Sequence, residues 1–197
     1  MDDNKDLRLI WHNPWFAIFL RGMVALIFGA KLAFLSTVAY LPWYVLAFMF
    51  ATGLAILVGT FTNGRVNGAT NTLYLQGGFS LITAIIVALF SFTIGNANRD
   101  LLLIFGIFFL VNGVLDLIFS INARSRGQGL FFITLNGIIT GFLGLVFVIN
   151  YFRLTNVTLR ANYLPIGYVS LASAVLLTVA ALAMLNQNRI NTKGSLA

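Results

Sequence analysis

Few residues in this chain of 197 could do chemistry. It has one histidine, His12, no cysteine and no glutamate, and its five acidic residues are Asp2, Asp3, Asp6, Asp100 and Asp116. Paired carboxylates, a histidine-activated nucleophile and a histidine or thiolate metal cage each need several such groups close together. No spacing in the chain fits any of these, and no glycine-rich phosphate-binding loop occurs. The sequence therefore predicts no enzyme activity, no metal and no cofactor.

Asp116 is the one acidic residue that falls inside a long apolar segment, and Arg21 lies at a matching depth. Arg21 is about six residues from the start of the first apolar segment, and Asp116 is about five residues from the end of the fourth. A charge at the bilayer centre costs about 2.5–3.5 kcal/mol on insertion scales, so a short aspartate inside a bundle is either protonated or paired. We predict an ion pair between Arg21 and Asp116. The alternative is an Arg21 side chain that extends to the headgroups, as Lys31 can do at the other end of its segment.

Further polar side chains gather at a similar depth and share helix faces, because they are spaced three or four residues apart. These residues are Gln76 and Ser80 in the third segment, Asn112 in the fourth, and Asn136 and Thr140 in the fifth. One interpretation is that they hydrogen-bond the helices to each other, at about 0.6 kcal/mol each. The other is a polar vestibule around Asp116 that binds a small solute or responds to protons.

The elements that must position these residues are membrane-spanning helices. Hydrophobic residues make up 59% of the chain and charged residues 9%, whereas soluble domains have about 25% charged residues. Six apolar runs of about 20 residues are each long enough to cross a ~30 Å hydrocarbon core as a helix. We predict an all-α integral membrane protein with a tail at 1–14, one domain at 15–185 built of hairpins at about 15–61, 73–121 and 130–185, and a second tail at 186–197.

The distribution of cations predicts the orientation, because Lys and Arg are enriched in cytoplasmic loops. One side collects Lys5, Arg8, Arg21, Arg65, Arg124, Arg126, Arg189 and Lys193, and the other collects Lys31, Arg99, Arg153 and Arg160. Both termini are therefore expected in the cytoplasm. The net charge of +7 comes from scattered single residues, so nucleic acid is not an expected partner.

A repeated pattern relates the three predicted hairpins. Arg21, Gln76 and Asn136 are each followed by glycine, with spacings of 55 and 60 residues from Gly22 to Gly77 to Gly137. Small residues allow close helix packing, and we predict that role for Gly22, Gly29, Gly53, Gly77, Gly113, Gly137, Gly141 and Gly144. The simplest use is packing within one chain, although a homo-oligomer is also possible. Three hairpins inserted in the same direction predict parallel repeats about an axis along the membrane normal.

The stretches LRGMVALIFGA, LPWYVLAFMFATGLAILVG and LLLIFGIFFLVNGVLDLIF resemble those of the HdeD-like acid-resistance membrane proteins. Those proteins have six-helix bodies built from short repeated segments, with an Arg-Gly start and a Pro-led second helix. The similarity extends from about Trp15 to Leu185. It departs from the family pattern where Gln and Asn replace Arg in the later repeats and where the fourth helix lacks an opening Pro. The resemblance implies a role in acid-stress survival without implying a biochemical activity.

Three functions are therefore expected in order of preference. The first is a non-enzymatic protein of the acid or envelope stress response, in the bacterial inner membrane. The second is a small transporter or channel for a small solute or protons, with a path past Arg21, Gln76, Asp116 and Asn136. The third is an accessory structural subunit of a larger membrane complex. The expected partners are the lipid bilayer and further membrane subunits.

Overall fold

The computed structural model describes residues 14–34, 41–62, 68–93, 98–123, 129–153 and 163–194. They form six helices, which are α1 Trp15–Phe34, α2 Leu41–Phe61, α3 Gly68–Thr93, α4 Asn98–Asn122, α5 Gly129–Arg153 and α6 Tyr163–Gly194. All six are long and apolar enough to cross a membrane. The prediction of an all-α protein is therefore confirmed, and the six apolar helices are compatible with six membrane spans.

The helix boundaries follow from local sequence. Pro42 and Pro165 lie in the first turns of α2 and α6, where the missing N–H has no intrahelical partner to lose. Helix α6 runs nine residues beyond Leu185, the last residue of the predicted span, and ends at Gly194. Neither proline nor glycine occurs between these two residues, so the helix continues after the apolar segment has ended. The predicted tail is helical up to Gly194.

The helices form a closed ring in which each packs against its neighbours in the chain and α6 returns to α1. Neighbouring helices are antiparallel. In the α1–α6 pair, for example, Gly22 lies beside Leu177 and Gly29 beside Leu171. We call the side of the bundle where α1, α3 and α5 begin the terminal side, because α6 ends there, and the opposite side the far side.

Small residues allow the closest contacts in this ring. A Cβ atom on Gly113 would lie 2.5 Å from the backbone nitrogen of Gly141, and one on Gly144 would overlap the backbone of Leu110. The α4–α5 pair therefore has no space for larger side chains at these points. The predicted packing glycines lie against a neighbouring helix as follows: Gly22 and Gly29 against α6, Gly53 against α3, Gly77 against α2, Gly113 against α5, and Gly137, Gly141 and Gly144 against α4.

Two apolar clusters fill the bundle, one on each side. The far-side cluster is rich in phenylalanine, and the rings of Phe28 and Phe48 stack with centroids 4.1 Å apart. The terminal-side cluster contains Ile56, Phe119 and Leu177. Between the two clusters lies a layer of buried polar side chains, and this layer is the candidate site.

Candidate functional site

The centre of the polar layer is Asp116 on α4, whose side chain is 2% exposed. Arg21 on α1 donates from Nη1 to Oδ1 at 2.5 Å and from Nη2 to Oδ2 at 3.1 Å. Such two-pronged bonds between a guanidinium and a carboxylate are among the strongest in proteins because both partners are ionised and their shapes match. The structure thus brings together the two residues of the predicted ion pair, 95 positions apart in the chain.

Two amides complete the surroundings of the carboxylate. Gln76 on α3 donates from Nε2 to Oδ1 at 2.9 Å, and Asn136 on α5 donates from Nδ2 to Oδ2 at 2.7 Å. Each carboxylate oxygen therefore accepts two hydrogen bonds, and α1, α3 and α5 each contribute at least one donor. A buried charge is tolerated when it is both paired and hydrogen-bonded in this way.

The glycines that follow the three donors each let their helix pack closely on a neighbouring helix, and for Gly137 that neighbour is α4 itself. Gly137 is the clearest case, because a Cβ atom there would lie 3.1 Å from the Cβ of Asp116 and 2.8 Å from the carbonyl oxygen of Gly113. Without a side chain at Gly137, α5 comes close enough for Asn136 to bond directly. The residues Arg21, Gln76 and Asn136, which the repeat pattern aligned, thus all contact one carboxylate.

Among the described residues, the side chains of Ser80, Asn112 and Thr140 form no hydrogen bond with the Asp116 carboxylate. Ser80 and Thr140 donate to carbonyl oxygens four residues earlier in their own helices, at 2.8 Å and 2.7 Å. Asn112 donates from Nδ2 to the Phe108 carbonyl at 2.8 Å. The backbone carbonyl of Asn112 accepts a longer bond from Gln76, at 3.4 Å. Short hydroxyl side chains on a helix reach their own backbone before they reach a neighbour.

Sequence reasoning missed Thr52 on α2 and Ser170 and Ser173 on α6. With Asn112 they line a cavity of about 20 Å³ that also borders Arg21. The sequence did hold a signal for two of them, since Thr52 and Ser173 directly precede Gly53 and Ala174, as Asn112 precedes Gly113.

Lys31 and Asp100 lie apart from this site. Lys31 is exposed on α1 toward the far side, with its Nζ 4.2 Å from the ring centroid of Tyr44. Asp100, in the first turn of α4, accepts a hydrogen bond from the Tyr151 hydroxyl at 3.0 Å. Both are near helix ends, where long or polar side chains reach the membrane interface.

The described part of the chain contains no group of three His, Asp, Glu or Cys residues that could hold a metal. The carboxylate of Asp116 has two donors on each oxygen and could act as a base or nucleophile only by giving some of them up. Several residues used in the sequence predictions lie outside the described residues, namely Asp2, Asp3, Lys5, Asp6, Arg8, His12, Arg65, Arg124, Arg126 and Arg160.

Comparison of the chain with protein-family models, with curated proteins and with solved structures finds no match. The fold and the site define the class, which is a multi-pass α-helical integral membrane protein with a buried ion pair whose carboxylate oxygens each accept two hydrogen bonds.

Proposed function

We propose that this chain is a non-enzymatic membrane protein that acts in the response to acid or envelope stress. The observation that supports it best is the carboxylate of Asp116, which is occupied by Arg21, Gln76 and Asn136. A carboxylate held in this way links helices instead of reacting with a substrate. The resemblance to HdeD-like proteins supplies the link to stress.

The same network makes the packing of the bundle depend on the charge of Asp116. Of the helices around Asp116, α1 contributes the charged Arg21, whereas α3 and α5 contribute the neutral amides of Gln76 and Asn136. Loss of the carboxylate charge would leave the guanidinium without its counter-charge, and a buried charge without a partner is costly.

The proposed setting is the bacterial inner membrane, with both termini in the cytoplasm and the terminal side facing inward. The excess of Lys and Arg toward that side supports this orientation. We further propose that the three hairpins are parallel repeats. This proposal is supported by the equivalent positions of three glycines. Gly22, Gly77 and Gly137 each lie against the second helix of a hairpin other than their own.

The test is survival of a deletion strain after acid challenge. The strain is complemented with the wild type, with Asp116→Asn or with Asp100→Asn as the matched control, and membrane levels of each protein are measured. We expect the deletion to be acid-sensitive, the wild type and the control to restore survival, and Asp116→Asn at equal abundance to fail. Normal acid survival of the deletion strain would rule out the proposed role.

A second candidate is a small transporter or channel for a small solute or protons. It is favoured by the cavity beside Arg21, which is lined in part by polar side chains. The Phe-rich cluster on the far side weighs against it, because a continuous polar path would have to cross these rings. Proteoliposomes with an internal pH dye distinguish the two: proton flux above that of protein-free liposomes, reduced in Asp116→Asn, would support transport and contradict a purely structural role.

A further inference from the structure

Four of the residues that line the cavity beside Arg21 carry a buried side-chain oxygen that has no hydrogen-bond partner among the described residues. These oxygens are Thr52 Oγ1, Asn112 Oδ1, Ser170 Oγ and Ser173 Oγ. Their residues are 3%, 2%, 1% and 6% exposed. An unpaired buried polar group is costly, and four of them border this one cavity.

The three hydroxyls differ from other hydroxyls in this bundle. Thr60, Ser80, Thr83, Thr134 and Thr140 all donate to the carbonyl four residues earlier in their own helix. Thr52, Ser170 and Ser173 form no such bond. Since the local bond is the usual choice for a hydroxyl on a helix, these three groups are available to bind something in the cavity.

Size and charge select the occupant. The cavity volume of about 20 Å³ is near the minimum of roughly 10–15 Å³ that one water molecule needs. The only charge in the lining is that of Arg21, which disfavours a cation, whereas the unpaired Asn112 Oδ1 can only accept and so disfavours an anion. The hydroxyls both donate and accept. One water molecule, which donates two hydrogen bonds and accepts two, can serve the four unpaired oxygens.

We propose that this cavity is a specific water site. The site goes beyond the proposed function. The bonds to Asp116 come from α1, α3 and α5, whereas the cavity adds Thr52 on α2 and two serines on α6. The water therefore connects α2 and α6, the two helices that contribute no bond to the carboxylate, with the residues around Arg21. The polar layer then includes all six helices.

The sign of a stability change tests this proposal. Thr52→Val keeps the shape of the side chain and removes the hydroxyl. We expect a lower thermal midpoint in detergent, because the water loses a partner. If the cavity were dry, the same change would remove an unpaired polar group and raise the midpoint. The matched control is Thr83→Val, whose hydroxyl bonds its own helix and whose removal should change the midpoint little.

Two further measurements separate water from other occupants. X-ray hydroxyl-radical labelling in ¹⁸O water should modify Phe108 and Phe109, which line the cavity, and leave the equally buried Phe105 unmodified. Absence of label on all three would overturn the proposal. Exchange of sodium chloride for choline chloride or for sodium gluconate should leave the thermal midpoint of the wild type unchanged. If the exchange shifts the wild-type midpoint and Thr52→Val abolishes that shift, the cavity holds an ion and the proposal is overturned.

A separate observation concerns a groove of about 280 Å³ between α1 and α2 toward the far side. Its wall is apolar, with the small residues Ala47 and Ala51 on α2, and Lys31 lies at its end with Tyr44. Among the described residues Lys31 forms no ion pair, and its Nζ lies 4.2 Å from the centroid of the Tyr44 ring. The groove thus combines space for an acyl chain with an unneutralised cation three residues from the end of α1.

The geometry points to a binding site for an anionic phospholipid, with its phosphate at Lys31 and one acyl chain in the groove. Native mass spectrometry with equimolar phosphatidylglycerol and phosphatidylcholine should show preferential retention of phosphatidylglycerol. The preference should be lost in Lys31→Gln and kept in Lys31→Arg and in Arg153→Gln, an exposed cation at the same side of the bundle. Ala51→Leu, which fills the groove, should weaken binding of both lipids. An unchanged preference in Lys31→Gln would overturn the assignment.

Discussion

Removal of both charges from the Arg21–Asp116 pair should destabilise the protein by less than the sum of the two single removals. Asp116→Asn leaves a guanidinium in the bundle without a counter-charge, and Arg21→Gln leaves a carboxylate held only by two amides. Removing one partner of a buried pair costs about 3–5 kcal/mol. Because the Arg21 side chain is 11% exposed and that of Asp116 only 2%, we expect about 3 kcal/mol for Asp116→Asn and more for Arg21→Gln.

The double variant Arg21→Gln/Asp116→Asn buries no charge, so its cost should fall below the sum of the single changes by about 2–3 kcal/mol. The assay is reversible unfolding in mixed micelles with increasing sodium dodecyl sulfate, followed by tryptophan fluorescence. Asp100→Asn, at the other end of α4, reports the cost of removing a carboxylate outside the network. If the single effects add to within about 0.5 kcal/mol of the double variant, the two charges are not coupled and the reasoning fails.

Three further changes test the packing around the site. Gly113→Ala should cost about 1–3 kcal/mol, because its Cβ would lie 2.5 Å from the backbone of α5, whereas Gly78→Ala meets no atom within 4 Å and should be neutral or gain up to about 1 kcal/mol. Asn136→Leu removes the 2.7 Å bond to the carboxylate and should cost about 1.5–3 kcal/mol. Phe105→Ala should cost about 3–5 kcal/mol, and the exposed Phe152 should tolerate alanine. The same unfolding assay measures all of these effects. Equal midpoints for Gly113→Ala and Gly78→Ala, or for Phe105→Ala and the alanine variant of Phe152, would contradict the packing described.

The number of helices and the central pair could be predicted because each rests on a large energy that depends on few residues. An apolar run of about 20 residues has one stable state in a membrane, and an aspartate inside such a run needs a partner. The aligned polar residues Gln76 and Asn136 also belonged to the site, because residues in equivalent places of similar hairpins reach similar depths. Depth along a helix can be read directly from sequence position.

The rotation of each helix and the identity of its neighbours could not be predicted in this way, since they depend on packing across the whole ring. Ser80 and Thr140 lie at the right depth, yet they bond their own helices. Thr52 and Ser173 were missed because a single hydroxyl in a helix carries little energy. Their importance arises only when packing of α2, α4 and α6 brings them to one cavity.

The separation of 95 positions between Arg21 and Asp116 has a consequence during synthesis. At about 5–20 residues per second, the ribosome needs roughly 5–20 s to make the chain between them. Throughout that interval α1 carries a cation whose partner does not yet exist. Because its long side chain can extend toward the headgroups, Arg21 can stay solvated during that interval, and we expect the arrival of α4 to bring it into the buried pair.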